Sequence, residues 1–130
     1  MKIKFSTILL NENSELPKDI TIETKRQAQT EFPINSENAK IFDRKNLRIN
    51  ISFVIERSHA NEEIAQLFAL EHGIKISQQS PAILEFIGDN EVSAICFTST
   101  SATKIKTENN ALITSTKYEF IAEKIESISL

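Results

Sequence analysis

The chain has 130 residues, 15 Lys+Arg against 18 Asp+Glu and a formal net charge of −3, the length of one domain, 1–130, with enough chain to bury one core. With 40% hydrophobic and 25% charged residues it reads as a soluble globular protein, and a pI near 5.5 excludes the basic footprint of a nucleic-acid binder. There are only two glycines, Gly73 and Gly88, where an average chain of this length carries about nine, so neither GxGxxG nor a P-loop can be written.

Residues 2–10 alternate, with Ile3, Phe5, Thr7 and Leu9 on one face and Lys2, Lys4 and Ser6 on the other. They read as a half-buried strand. Asn11 to Asp19 is polar and contains Pro17, so it reads as a loop. Alternation resumes at Ile20, Ile22 and Thr24 and can run on through Ala28, Thr30 and Phe32. Two strands either side of a short loop suggest a hairpin with an extended tip. Residues 33–46 lose the alternation. Pro33, Asn35, Ser36, Asn38 and Asn46 are turn formers around the apolar pair Ile41 and Phe42. Such a pair docks either on its own core or on a neighbouring molecule.

The clearest strand is 47–57, with Leu47, Ile49, Ile51, Phe53 and Ile55 on one face and Arg48, Asn50, Ser52, Val54 and Glu56 on the other. A helix over about 59–72 follows. Ser58 is its expected N-cap, Glu62 and Glu63 occupy the first turn, and Ala60, Ile64, Leu67 and Phe68 form a packing stripe. Gly73 and Ile74 give the helix a Schellman ending. The rest reads as β: 82–88, a turn over Gly88–Glu91, 92–106, a turn at Asn109–Asn110, and 111–128. In that last stretch Leu112, Thr114, Thr116, Tyr118 and Phe120 alternate. Asparagines at 11, 13, 90, 109 and 110 stand in at turns for the missing glycines. This order predicts an α+β fold, a mostly antiparallel β-sandwich or small barrel with one packed helix.

No residue is nominated as catalytic, cofactor-binding or metal-ligating. His59 and His72 lie nearly four turns apart on the predicted helix and cannot share a ligand. His59 with Glu62 lacks a third metal ligand. The plainer expectation is an exposed first-turn His59, and a His72 favoured by the helix C-terminus. Cys96 is the only cysteine, has no flanking base and reads as a small buried hydrophobe. The run Thr98-Ser99-Thr100-Ser101-Ala102-Thr103 reads as a solvated sheet face. No apolar run is long enough to span a bilayer, and the first residues lack a signal-peptide core. A reducing, cytoplasmic setting follows as the simplest expectation. Lys25-Arg26 and Arg44-Lys45 with Arg48 are short basic clusters, either a solvated face or a contact for an acidic partner surface. Long strands must also have their edges covered, charged or paired with another subunit.

One stretch carries a family resemblance. Ile51-Ser52-Phe53-Val54-Ile55-Glu56-Arg57-Ser58-His59-Ala60 runs into a helix ending Phe68-Ala69-Leu70-Glu71-His72. Ala82-Ile83-Leu84-Glu85-Phe86 follows, then Thr116-Lys117-Tyr118-Glu119-Phe120. Over residues 47–122 this resembles small prophage-encoded proteins of bacterial tail-morphogenesis regions, in which the strand reads I/V-S-F-x-V/I-x-R-x-H-A. The N-terminal part is unmatched. The resemblance implies a non-enzymatic structural subunit of a phage or phage-like tail, without a cofactor. Its implied partners are itself, in a hexameric ring, and other tail proteins. Its implied location is the bacterial cytoplasm during assembly, then the virion or tail-like particle. Head-to-tail contacts would build such rings, and Leu16, Pro17, Ile41, Phe42, Arg44 and Lys45 become the expected inter-subunit residues. The alternative is a ligand-binding α+β domain with a pocket between helix and sheet, near His59 or Arg57.

Overall fold

A computed structural model describes residues 1–12, 14–26, 47–89 and 93–129. Its elements are β1 (Lys2–Phe5), β2 (Ile8–Leu9), β3 (Lys18–Arg26), β4 (Leu47–Ser58), α1 (Glu62–Ser77), β5 (Ala82–Ile87), β6 (Ser93–Asn110), β7 (Ile113–Ala122) and β8 (Lys124–Ser129). The fold is α+β: among the described residues, one helix on a mostly antiparallel sheet ordered β2-β1-β5-β6-β7-β4-β3, with β8 also pairing β6. The path is open at β2 and β3 among the described residues, so no barrel closure is seen there.

Alternation sets the buried face. Ile3 and Phe5 of β1, Ile49, Ile51, Phe53 and Ile55 of β4, and Thr114, Thr116, Tyr118 and Phe120 of β7 are all buried, as the period of two requires. Aromatic rings then join strands that are not sheet neighbours. Phe5 lies 4.9 Å from Phe120 between centroids, and Phe53 meets Phe86 edge-on at 5.8 Å. The β1–β5 end of the sheet therefore folds over β4 and β7, and the core lies between them. The fold-over is centred on β6. Its first part pairs β5 and β8, its second part pairs β7, and a left-handed Ser99 (φ 51°) sits at the join.

Several expected boundaries move. Residues 2–10 are not one strand, because left-handed Ser6 (φ 58°) turns β2 back onto β1. The expected hairpin between 2–10 and the strand at Ile20 is absent: β1 pairs β5, and β3 pairs β4. That strand also begins at Lys18, inside the expected loop. Its expected continuation through Ala28, Thr30 and Phe32 lies outside the described residues, as do Asn13 and Asn90. The last turn falls at Ala111–Leu112, with Ala111 at φ 55°. The Asn109 amide serves it from the side, donating to the carbonyls of Ala111 and Ile113. The left-handed residues other than glycine are Ser6, Asp19, Ser99 and Ala111, so asparagine does not fill that role among the described residues. Asn11 is instead a buried strut that accepts from the Ile3 N–H and donates to the carbonyls of Met1 and Glu15.

The helix is displaced as well. Its N-cap is Asn61, whose side chain accepts from the Ile64 N–H, and not Ser58, which still pairs with Ile113 in the sheet. It runs through Gly73 to Ser77, with Lys75 in the last turn and Gln78 as C-cap. Gly73 has no positive φ, so there is no Schellman ending at that point. Four residues of helix carry the chain over β6, where Gly73 comes close to Ile105. Proline at 81 then bars continuation.

Candidate functional site

The phase of β4 continues past its apolar run. Arg57 follows Ile49, Ile51, Phe53 and Ile55 at the same spacing, so its side chain enters the interior and is 8% exposed. A buried guanidinium must find acceptors. One terminal nitrogen donates to the Leu10 carbonyl and, at 2.7 Å, to the Tyr118 hydroxyl. The other donates to Thr116 Oγ1 at 3.3 Å. Its Nε stands 4.0 Å from a Glu15 carboxylate oxygen, which itself accepts from the Glu12 N–H. Phe68 of α1 lies over the guanidinium at 4.9 Å.

His72 completes this cluster. It is buried, stacked on Phe68 at 4.4 Å, and its Nε2 bonds the Tyr118 hydroxyl. The phenol oxygen already accepts from Arg57, so its own proton goes to His72 Nε2, and neutral His72 carries its hydrogen on Nδ1. Burial, with the positive charges of Arg57 and Lys75, lowers the His72 pKa from 6.5 to about 4. Burial raises that of Tyr118 to about 12, against the opposing pull of Arg57. Both rings are neutral at pH 7. A cleft of about 280 Å³ beside them is lined by Leu9, Asn11, Glu12, Arg57, His72 and Lys75, among others.

The helix presents a different surface outward. Only Ala65, His72 and Ile76 are buried on it, and Phe68 is half-buried. The expected stripe is not the packing face: Ile64 is 47% exposed and Leu67 53% exposed. Leu70 and Ile74 are more exposed still, at 73% and 62%. Between this outer face and β6 runs a groove of about 500 Å³, lined by Ala69, Leu70, Gly73, Ile74, Ile105 and Thr107, with Ser77 and Gln78 at its end. Its described lining is largely apolar and holds no titratable side chain.

The residues expected from the sequence fall as follows. Ile41, Phe42, Arg44 and Lys45 lie outside the described residues. Leu16 is exposed beside a depression with Met1, Lys2, Gly88 and Asp89, and Pro17 is half-buried next to it. His59 precedes the helix, half-buried, with Nε2 2.8 Å from Thr114 Oγ1 and its ring against Phe68. His72 is not at the helix C-terminus but one turn inside it. In the Thr98–Thr103 run Ser99 and Thr103 are exposed, but Thr100 is buried and bonds the Phe97 carbonyl, so the run is a solvated face only in part. Cys96 is buried between Glu85 and Glu126 on the adjoining strands; burial first, then those carboxylates, push its thiol up. A thiol so placed is not a nucleophile at neutral pH. Among the described residues no group of three or more His, Cys, Asp or Glu could hold a metal ion, and no helix is long and apolar enough to cross a membrane.

Comparison with family models, with curated proteins and with solved structures returned no match.

Proposed function

We propose that this chain is a non-enzymatic structural subunit that works by associating with copies of itself. The observation that carries this reading is the outer face of α1, where Leu67, Leu70 and Ile74 are each more than half exposed on a helix whose other side is firmly docked. Leucine and isoleucine clustered on the outside of one helix are a contact surface looking for a partner. Among the described residues no strand covers the edge of β3 or the second part of β6, which supports the same reading. The tail-region resemblance names the kind of assembly: a phage or phage-like tail, built in the bacterial cytoplasm from rings and joined to other tail proteins. In that setting the folded-over sheet acts as a β-sandwich flanked by its helix. Light scattering across a concentration series, with electron microscopy of the concentrated sample, tests the proposal. Growth of discrete oligomers or rings is expected, and a strict monomer at millimolar concentration would end it.

A second reading, a ligand-binding domain, is favoured by the cleft at Arg57, His72 and Lys75. Its weakness is that Arg57 already spends most of its donors inside the protein. Thermal melting against a panel of small carboxylates and phosphates tests it, since a ligand present at a hundred times its Kd stabilises by about 2.7 kcal/mol.

A further inference from the structure

β6 changes neighbours along its length. Its first part lies between β5, which it pairs as far as Thr100, and β8, which it pairs as far as Thr98. From Ser101 onward it has β7 on one side and, among the described residues, no strand on the other. The Ala102 N–H points to that other side, where Ser80 Oγ accepts it at 2.9 Å. Beyond the irregularity at Thr103 the backbone alternates again. Ile105, Thr107 and Asn109 therefore direct their N–H and C=O groups the same way, into the side occupied by α1. A groove walled by a strand edge and by an apolar helix is shaped for an extended chain. The edge supplies main-chain hydrogen bonds, and alternate side chains of the incoming strand pack on the helix.

The chain carries a strand that fits this description. β3 pairs only with β4, and no other described strand lies along its outer edge. Ile20 and Ile22 are 38% and 46% exposed on it. Ile22 stands opposite Ile51, Ile51 opposite Phe120, and Phe120 opposite Ala102, so Ile22 lies on the face of the sheet that also carries Ile105 and Thr107. A sheet continued from one copy to the next would keep that face continuous and bring Ile22 to Leu70 and Ile74. The other face of β3 carries Glu23 and Lys25, and that of β6 carries Lys104, Lys106 and Glu108, all exposed. Glu23 pairs with Lys25 at 3.6 Å, and Lys106 with Glu108 at 3.2 Å. Exposed pairs of this kind are weak and exchange partners at little cost. β2 is two residues long and offers too short an edge to compete.

We propose that the outer edge of β3 in one copy adds to the groove-side edge of β6 in the next, with Ile22 seated in the groove against Leu70 and Ile74, and with opposite charges meeting on the outer face. This rests on the self-association reading above and names its two surfaces. The contact is heterologous, so every copy offers one of each surface, and the chain of contacts closes into a ring or runs on as a filament.

Sedimentation velocity on the full chain tests it with three variants, each first shown folded by circular dichroism. Ile22→Lys blocks the β3 surface, Leu70→Glu blocks the groove, and Thr107→Pro removes an outward N–H while sparing the ladder to β7. Each alone should weaken association by about tenfold or more. Mixing Ile22→Lys with Leu70→Glu in equal amounts should give dimers and nothing larger, because one intact pair of surfaces survives. Several results would overturn the pairing while leaving self-association standing. Wild type could assemble and Leu70→Glu assemble equally well, which would point to β3 meeting β3. Thr107→Pro could assemble normally, which would mean helix docking without strand addition. The folded mixture could stay monomeric. A wild-type chain that is monomeric throughout overturns both the pairing and the self-association reading.

Discussion

The two faces of α1 reverse the usual arrangement of a surface helix. Ordinarily the apolar stripe faces the core and charge faces water. Here the docked side brings His72 and Phe68 onto Arg57, Thr116 and Tyr118, while Leu67, Leu70 and Ile74 face outward. The cause lies in the sheet beneath. Its rows are apolar at Ile51 and Phe120 but turn polar at Arg57, Thr114 and Thr116, under the helix. A leucine over that patch would leave the guanidinium and the phenol short of partners, whereas an imidazole and a phenyl ring satisfy them. Stability therefore resides on the inner face, while Leu67, Leu70 and Ile74 on the outer one stay more than half exposed.

The largest test of that division is Arg57→Ala. It strips the Leu10 carbonyl, the Tyr118 hydroxyl and Thr116 of a donor at once. Losing several charge-assisted hydrogen bonds in the interior should cost about 3 kcal/mol. A urea titration should show a lower midpoint with the slope unchanged. An unmoved midpoint would mean that the cluster does not hold the helix.

Acid should act on the same face. The folded pKa of His72, about 4, lies below its ordinary value of 6.5. Between those values the unfolded chain binds the extra proton, so stability falls as pH drops from 6.5 to 4 and, for this group, levels off below. The expected loss is about 2 to 3 kcal/mol. Protonation would also place two donors, Arg57 and His72, on one phenol oxygen. Urea midpoints measured from pH 7 to pH 4 check this, and in His72→Phe that portion of the slope should vanish.

What the sequence disclosed follows from how local each signal is. The rows Ile49 to Ile55 and Thr114 to Phe120 were legible because alternation is a property of the strand itself. Arg57 was missed, although the same rule reaches it: the phase of β4 continues to it, and a basic residue at a core position calls for partners. His72 was not. Its role depends on Tyr118, which lies 46 residues away in the chain. The helix face was misread because its apolar residues occur all round, and spacing alone selected Ile64 and Leu67 over Ala65, His72 and Ile76. The strand at 2–10 was read too long because a serine in the left-handed region leaves no mark that composition reveals. The partners of β1 and β3 are set by long-range pairing, which adjacency in sequence does not encode.

Gly73 gives a smaller effect, and its sign is informative. A helix ending there in a left-handed glycine would make Gly73→Ala destabilising by about 1 kcal/mol. In the structure Gly73 is inside the helix without a positive φ, and an added Cβ would meet Ile105 at 3.6 to 3.7 Å, which is ordinary contact. Alanine should therefore stabilise by about 0.5 to 1 kcal/mol. Thermal melting decides between the two signs.

The outer face should give the smallest change in stability and the largest in behaviour. Leu70 is 73% exposed, so Leu70→Glu removes almost no buried area and, in the monomer, should stay within about 0.5 kcal/mol of wild type. A solvent-exposed position on the middle of a helix tolerates glutamate well, since it is a strong helix former. Its effect is expected instead in concentration dependence. The wild-type melting temperature should rise with protein concentration, because association stabilises the folded state by mass action. That of Leu70→Glu should not. Equal melting temperatures for the two proteins at low concentration, diverging as concentration rises, would separate the outer face of α1 from its inner face by their physical roles. A variant that melts early even when dilute would show that Leu70 belongs to the fold, and the division between the faces would fail there.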